Sequence, residues 1–226
     1  GGVERGVQPR DATNPERNDA ESPNEVSPPR LSHEASLRTS GDRAGSLGVG
    51  LGDMTTTDQG AEILALLEST FDNVFITGPA GTGKTTLLHR FVEQTEKTVV
   101  VAAPTGVAAL AVGGQTLHSL LRLPLGILGQ GDVGYCPREI LQMLRQIDTL
   151  VIDEVSMVSA DLLDGIDRRL RQAKGRKSVP FGGVQLVMFG DLYQLAPVVS
   201  GKDEKDYYRD HYRSAWFFDA KVWDQT

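Results

Sequence analysis

Four short apolar runs mark the second part of the chain: Val74-Phe75-Ile76-Thr77, Thr98-Val99-Val100-Val101-Ala102, Thr149-Leu150-Val151-Ile152 and Val184-Gln185-Leu186-Val187-Met188-Phe189. They are continuous rather than alternating, rich in β-branched residues and bounded by turn residues, which predicts strands buried on both faces. Ahead of them, Ile63, Leu66 and Leu67 recur at helical spacing behind Thr57 or Asp58, either of which suits a helix cap. A second helix is predicted from Lys84 to about Thr95, and further helical stretches separate the later runs. Strands alternating with helices predict an α/β fold: a mostly parallel sheet with helices on both faces. Right-handed crossovers then bring the loops after the strands to one edge, where ligands bind.

The patterning stops short of the N-terminus. Residues 1–53 have no Phe, Trp or Tyr, and hold five prolines and eight glycines. Such a segment buries too little apolar surface to offset its ordering entropy, so a disordered tail is expected over 1–53. With nine acidic and six basic residues it does not resemble an acid-poor transit peptide. Met54 opens a different sequence and is a candidate natural start. Residues 54–226 are expected to form one folded domain, long enough for a single core.

Of the 226 residues, 39% are hydrophobic and 23% charged, and the net charge is −7. That excludes a basic coat protein but leaves room for a small basic groove. No apolar run is long enough to span a membrane as a helix, and no membrane partner is expected. The lone Cys136 rules out an internal disulfide and a cysteine-rich zinc site.

Gly78-Pro79-Ala80-Gly81-Thr82-Gly83-Lys84-Thr85 matches the phosphate-loop pattern G-x-x-x-x-G-K-[ST] in full, after a predicted strand and before a helix. Glycines let the backbone wrap an anion with its N–H groups inward, and the helix start adds positive potential. Lys84 would reach the β- and γ-phosphates of ATP, Thr85 would hold Mg²⁺, and Thr86 lies in the same first turn. Leu150-Val151-Ile152-Asp153-Glu154 is an apolar strand ending in two acids, a costly place for carboxylates without a cation. Asp153 is the candidate Mg²⁺ ligand, and Glu154 the candidate general base for water. After the fourth run, Gly190-Asp191-Leu192-Tyr193-Gln194 offers neutral Gln194 to sense the γ-phosphate. At the exit of the second run, Thr105-Gly106 and Thr116, His118 and Ser119 suit sequence-independent sugar–phosphate contacts.

Taken in order from Gln59 to about Trp223, these strings resemble the PIF-type 5′-to-3′ DNA helicases of superfamily 1B, with RecD-like helicases as cousins. Val151–Val158 (VIDEVSMV) and Phe181-Gly182-Gly183-Val184-Gln185 leading into Gly190–Val198 carry the specificity; the phosphate loop alone would not. The resemblance implies a RecA-like P-loop NTPase domain, the first motor of an ATP-driven translocase on single-stranded DNA. It implies an adenine contact at Gln59, strand contacts at Thr105, Gly106, Thr116 and His118, and a monomer working in the nucleoid, nucleus or mitochondrion, not a secreted protein. Ala196 departs from the usual proline, and a mild change of loop stiffness is expected. The chain stops at Thr226, ahead of the second motor domain that in this family brings arginines to the γ-phosphate, so a fragment with weak activity is expected.

Two other functions fit the residues: a small-molecule kinase with its acceptor near Thr105 and His118, and a nucleotide-dependent interaction module. The basic run Arg168, Arg169, Arg171, Lys174, Arg176 and Lys177 reads as a solvated helix end in preference to a DNA contact. Trp216, Phe217, Phe218 and Trp223 read as packing residues.

Overall fold

The computed structural model describes residues 47–50, 57–129, 131 and 133–226. In chain order its elements are β1 (Leu47–Gly50), α1 (Thr57–Ser69), β2 (Val74–Thr77), α2 (Lys84–Gln94), β3 (Val99–Ala103), α3 (Gly106–Ala111), β4 (Gln115–Thr116), α4 (Leu117–Leu121), α5 (Arg138–Gln146), β5 (Thr149–Ile152), α6 (Ala160–Lys174), β6 (Gln185–Gly190) and α7 (Gly201–His211). The strands form one sheet in the order β1-β2-β6-β5-β3-β4, every pair parallel. The predicted parallel α/β architecture is therefore present.

Alternation along each strand explains why both faces are covered. Val74, Ile76, Val151, Val187 and Phe189 pack with Ile63 and Leu67 of α1 and Leu87, Leu88 and Phe91 of α2. Their neighbours Phe75, Ala102, Leu150, Ile152, Leu186 and Met188 face the other layer, with Leu163, Ile166 and Leu170 of α6. Central strands β5 and β6 are buried at every position, so their sequences lack the polar alternation of a one-sided sheet. Phe217 enters the second layer with its ring centroid 5.4 Å from that of Phe75, edge to face, while Trp216 and Phe218 stack at 5.7 Å. The C-terminal aromatics are thus packing residues, as expected.

The expected tail boundary needs correction. Leu47–Gly50 pairs with β2 from Leu47 opposite Val74 to Gly50 opposite Thr77. The edge of β2 offers backbone N–H and C=O groups that an extended segment can satisfy. Composition carries no trace of it. Residues 1–46, Met54 and the side chains of Thr57 and Asp58 lie outside the described residues, and with them the expected start and helix cap.

One face of α6 holds the connection from α4 to α5. Asp161, Gly165 and Arg169 follow one another at four-residue spacing. Asp161 Oδ2 accepts from Leu128 N at 2.8 Å. A β-carbon at Gly165 would lie 2.5 Å from Leu128 Cδ1, so the bare glycine seats that side chain. Arg169 is fully buried and donates to the carbonyls of Leu121 (2.9 Å), Arg122 (3.2 Å), Val133 (2.7 Å) and Gly134 (3.0 Å). Arg169 is no solvated helix end: a rigid fork of donors meets several backbone carbonyls of the connection. Lys174 and Arg145 close the neighbouring helix ends reciprocally, Lys174 Nζ on Arg145 O (2.9 Å) and Ile147 O (2.6 Å), Arg145 Nε on Ala173 O (2.9 Å). Of the basic run, Arg169 and Lys174 are spent on internal carbonyls and Arg171 on the carbonyl of Lys177, whereas Arg176 and Lys177 are exposed.

Replacing Arg169 with Ala strands several buried carbonyls and is expected to lower unfolding free energy by about 3 kcal/mol. Arg169→Lys recovers little, because one ammonium cannot span both arms of the loop. Denaturant unfolding measures the loss, and faster amide exchange at Leu128 locates it.

Candidate functional site

Strands β2, β6 and β5 are adjacent and parallel, so the loops that follow them leave the same edge side by side. They carry the phosphate loop, Asp191 to Gln194, and Asp153 to Glu154 respectively. The sequence predicts one common edge for these loops; the strand order makes the three immediate neighbours on it.

In the phosphate loop Gly81 and Gly83 have φ of 81° and 83°, values an L side chain would strain. Thr82 donates its hydroxyl to Pro79 O at 2.9 Å and its N–H to the same oxygen at 3.4 Å. Lys84 Nζ donates to Gly78 O at 2.6 Å and Pro79 O at 2.9 Å, which closes the loop around its own ammonium. Gly83 is the N-cap of α2, and among the described residues neither a side-chain cap nor a first-turn acid competes for the helix start. Those N–H groups and the exposed Thr85 and Thr86 remain open to an anion. Gly78 is half-buried, and Pro79 and Ala80 are exposed at the loop's outer turn.

Asp153 is only 9% exposed at the tip of β5. Burial pushes its carboxyl pKa up, partly offset by a backbone hydrogen bond and the charges of Lys84 and His89. Glu154 is pushed up by burial and by Asp153, and Asp191 adds to the effect while Lys84 opposes it. These influences place Lys84 near Asp153 and Glu154, and Asp191 near Glu154, on one rim. Glu154 also holds a left-handed backbone, φ 53°, at the head of a 3-10 turn over Val155–Met157. For a glutamate this is an uncommon, strained conformation of the kind that clusters at functional sites. Among the described residues no group of three or more acids, histidines or cysteines forms a complete metal cage. The donors present, a buried carboxylate at Asp153 and the Thr85 hydroxyl, are hard oxygens. They suit Mg²⁺, which keeps waters and takes phosphate oxygens instead of a full protein cage.

Gln194 is exposed on the third loop, its N–H donating to Asp191 O at 3.1 Å. Gln59 is half-buried in the first turn of α1, a helix on the same face as α2. The remaining candidates stand further along the rim, at β3 and β4. Thr105 caps α3, its Oγ1 accepting from Ala108 N at 3.2 Å, and Thr116 caps α4 in the same way through Ser119 N at 3.2 Å. In both, the hydroxyl proton stays available for a phosphate oxygen. Gly106 is exposed beside Thr105. His118 is half-buried, and burial holds its pKa below the usual imidazole range against the pull of Asp161. A neutral imidazole results.

Sequence reasoning passed over Asp191, given no role among its neighbours, and Asp161. Asp191 is 7% exposed at the tip of β6, where an unpaired carboxylate is unexpected. The signal was the one used for Asp153, an acid closing an apolar strand. Asp161 had no local signal, since it is one of several acids on a helix.

Residues 56–225 match the family model of PIF1-like helicases. The chain is 39% identical over 163 residues to the ATP-dependent DNA helicase PIF6 of Trypanosoma brucei brucei, covering 67% of this chain and 20% of that protein. Bacteroides sp Pif1 in complex with ADP-AlF4 superposes with a TM-score of 0.69 at 44% identity, over 75% of this chain and 40% of that one. Bacteroides Pif1 bound to ssDNA gives 0.69 at 45% identity, over 75% and 39%. The chain thus spans about a fifth of the curated relative's length and two fifths of those structures.

Asp153 and Glu154 bind protons more tightly folded than unfolded, so their ionised forms oppose folding above their ordinary pKa values of 3.8 and 4.5. Asp153→Asn and Glu154→Gln are therefore expected to raise the melting temperature of the ligand-free chain at pH 7. The gain should disappear as pH falls through the raised carboxyl pKa values. Thermal melts from pH 4 to pH 8 read it directly, and a destabilised Asp153→Asn at pH 7 contradicts the argument.

Proposed function

The chain belongs to the PIF1-like helicase family, and from this we propose that it is the first RecA-like motor domain of an ATP-dependent helicase that moves on single-stranded DNA. The observation that carries the proposal is the convergence of three neighbouring strand tips. They set Lys84, the Asp153–Glu154 pair and the Gln194 loop on one rim, with Thr105 and Thr116 further along it.

In this reading the backbone from Gly78 to Thr86 cradles the phosphates of ATP, and Gln59 contacts the adenine. Lys84 exchanges the carbonyls of Gly78 and Pro79 for β- and γ-phosphate oxygens. Asp153 and the Thr85 hydroxyl would hold Mg²⁺, which when bound neutralises charge on the transferred phosphoryl group. Glu154 accepts a proton from the attacking water, a task favoured by its upward-shifted basicity. Gln194 orients that water or senses the γ-phosphate. Thr105, Gly106, Thr116 and His118 hold the sugar–phosphate backbone without reading bases, since hydroxyl, amide and neutral imidazole groups carry no base code. The relative bound to ssDNA and the one bound to ADP-AlF4 support both halves of this assignment. We further propose that the parent protein supplies a second motor domain whose arginines complete the site, and that it works on nuclear, mitochondrial or nucleoid DNA.

Lys84→Ala is expected to weaken Mg-ATP binding at least about 100-fold while far-ultraviolet circular dichroism stays unchanged, two strong charge-assisted contacts being lost. Unchanged affinity would remove Lys84 from the site. The 226-residue chain should bind Mg-ATP yet hydrolyse it roughly 10³–10⁵ times more slowly than the two-motor parent, the range assigned to arginines acting from across the cleft. Robust DNA unwinding by the chain alone refutes that assignment.

A further inference from the structure

Gly190 ends β6 against the turn that follows Glu154. A β-carbon there would lie 3.0 Å from Val155 Cγ1, 3.2 Å from Ser156 N and 3.3 Å from Val155 N. The approach is close enough that any side chain would push the two loops apart. Asp191, the next residue, is nearly buried and does two things at once. Its Oδ1 accepts from Tyr193 N at 3.0 Å, and its carbonyl oxygen accepts from Gln194 N at 3.1 Å. This is the local carboxylate-to-backbone bonding that lets Asp or Asn fold a turn by itself. Leu192 anchors the start of the turn in the core, but beyond it Tyr193 is 73% and Leu195 67% exposed, so packing does little to hold the part of the turn that carries Gln194. On the facing loop, Glu154 is kept in its left-handed backbone by Met157 N on Glu154 O at 3.1 Å and Val158 N on Val155 O at 2.9 Å.

We propose that Asp191 is a positioning residue for hydrolysis: its carboxylate fixes the turn that presents Gln194, and the bare Gly190 beside it seats that turn on the Glu154 turn, so that base and phosphate sensor keep one separation. The inference rests on the helicase reading above and adds a residue to it. A carboxylate close to a polyphosphate is electrostatically unfavourable, so the geometry of the turn, and not the charge, accounts for an acid here. The amide of Asn can accept from Tyr193 N in the same way, whereas Ala cannot.

The test has two arms. In the 226-residue chain, Asp191→Ala should speed amide exchange at Tyr193 by at least about 10-fold, while Asp191→Asn keeps the wild-type rate and both variants bind Mg-ATP as wild type does. In the two-motor parent, Asp191→Ala and Gly190→Ala should lower DNA-stimulated kcat by about 10- to 100-fold at unchanged nucleotide affinity, and Asp191→Asn should restore most of it. Three results overturn the proposal: unchanged Tyr193 exchange in Asp191→Ala, full turnover in that variant, or equal loss in Asp191→Asn. A wild-type parent without ATP turnover sinks the helicase reading and this inference together. A normal wild type with an indifferent Asp191→Ala sinks this inference alone.

Discussion

A charge imbalance at one edge of the sheet organises the molecule. Parallel strands β5 and β6 carry Asp153 and Asp191 into poorly hydrated surroundings, and Glu154 follows Asp153 into partial burial. Lys84, brought over by β2, is a cation common to Asp153 and Glu154. Its ammonium is already engaged with two loop carbonyls. Asp153 and Glu154, held this way, favour a ligand that arrives with its own cation, and an anion finds the open start of α2 beside them. A magnesium-bound triphosphate answers both demands at once. The strained backbone at Glu154 and the raised carboxyl pKa values cost stability in the free chain, as expected of groups arranged for a ligand instead of for folding.

The proposed phosphate and strand contacts share one rim because of topology. Four strands, β2, β6, β5 and β3, end along one line, and α3 and α4 start where β3 and β4 stop. Thr105 and Thr116 each cap a helix of six or five residues, so their hydroxyls are fixed in space by backbone hydrogen bonds. Behind α4, the face of α6 with Asp161, Gly165 and Arg169 keeps the following loop from drifting. Asp161 also accepts from Ser159 Oγ at 2.6 Å and Tyr208 OH at 2.5 Å, so one buried carboxylate ties α7 to the loop behind His118.

What could be read from the sequence was local. The phosphate loop and the acids ending β5 announce themselves because their chemistry and backbone demands sit within eight consecutive residues. Strand positions were legible because double burial leaves continuous apolar runs. Arg169 was not legible: its partners are carbonyls some 35 to 48 residues away, and next to Arg168 and Arg171 it looks like surface charge. Gly165 looks like an unremarkable helix glycine until Leu128 is seen against it. β1 was hidden for another reason, since four residues of edge pairing leave no compositional mark. Asp191 lay in a quoted motif, yet its role depends on burial, which adjacent exposed residues such as Tyr193 disguise.

The two ends of the sheet carry opposite requirements. At the end away from the site, Gln185 is fully buried and accepts from Lys97 Nζ and Thr149 Oγ1, both at 3.0 Å, while donating to Asp72 O at 3.0 Å. Asn73 Oδ1 takes Leu186 N at 2.8 Å, and Lys97 lies 4.5 Å from the centre of the Phe71 ring. The polar groups cited there have partners within the chain. At the functional rim the balance reverses. Val107 and Leu110 on α3 are each 82% exposed, and Val198 after β6 is 80% exposed. Apolar side chains left in water at this rim, in contrast to the closed end, suit a surface that meets a partner. A sheet closed so thoroughly at one end can tolerate that, because unfolding the rim does not unfold the base. The separation lets one small domain keep a fixed frame behind the loops proposed to hold nucleotide and strand.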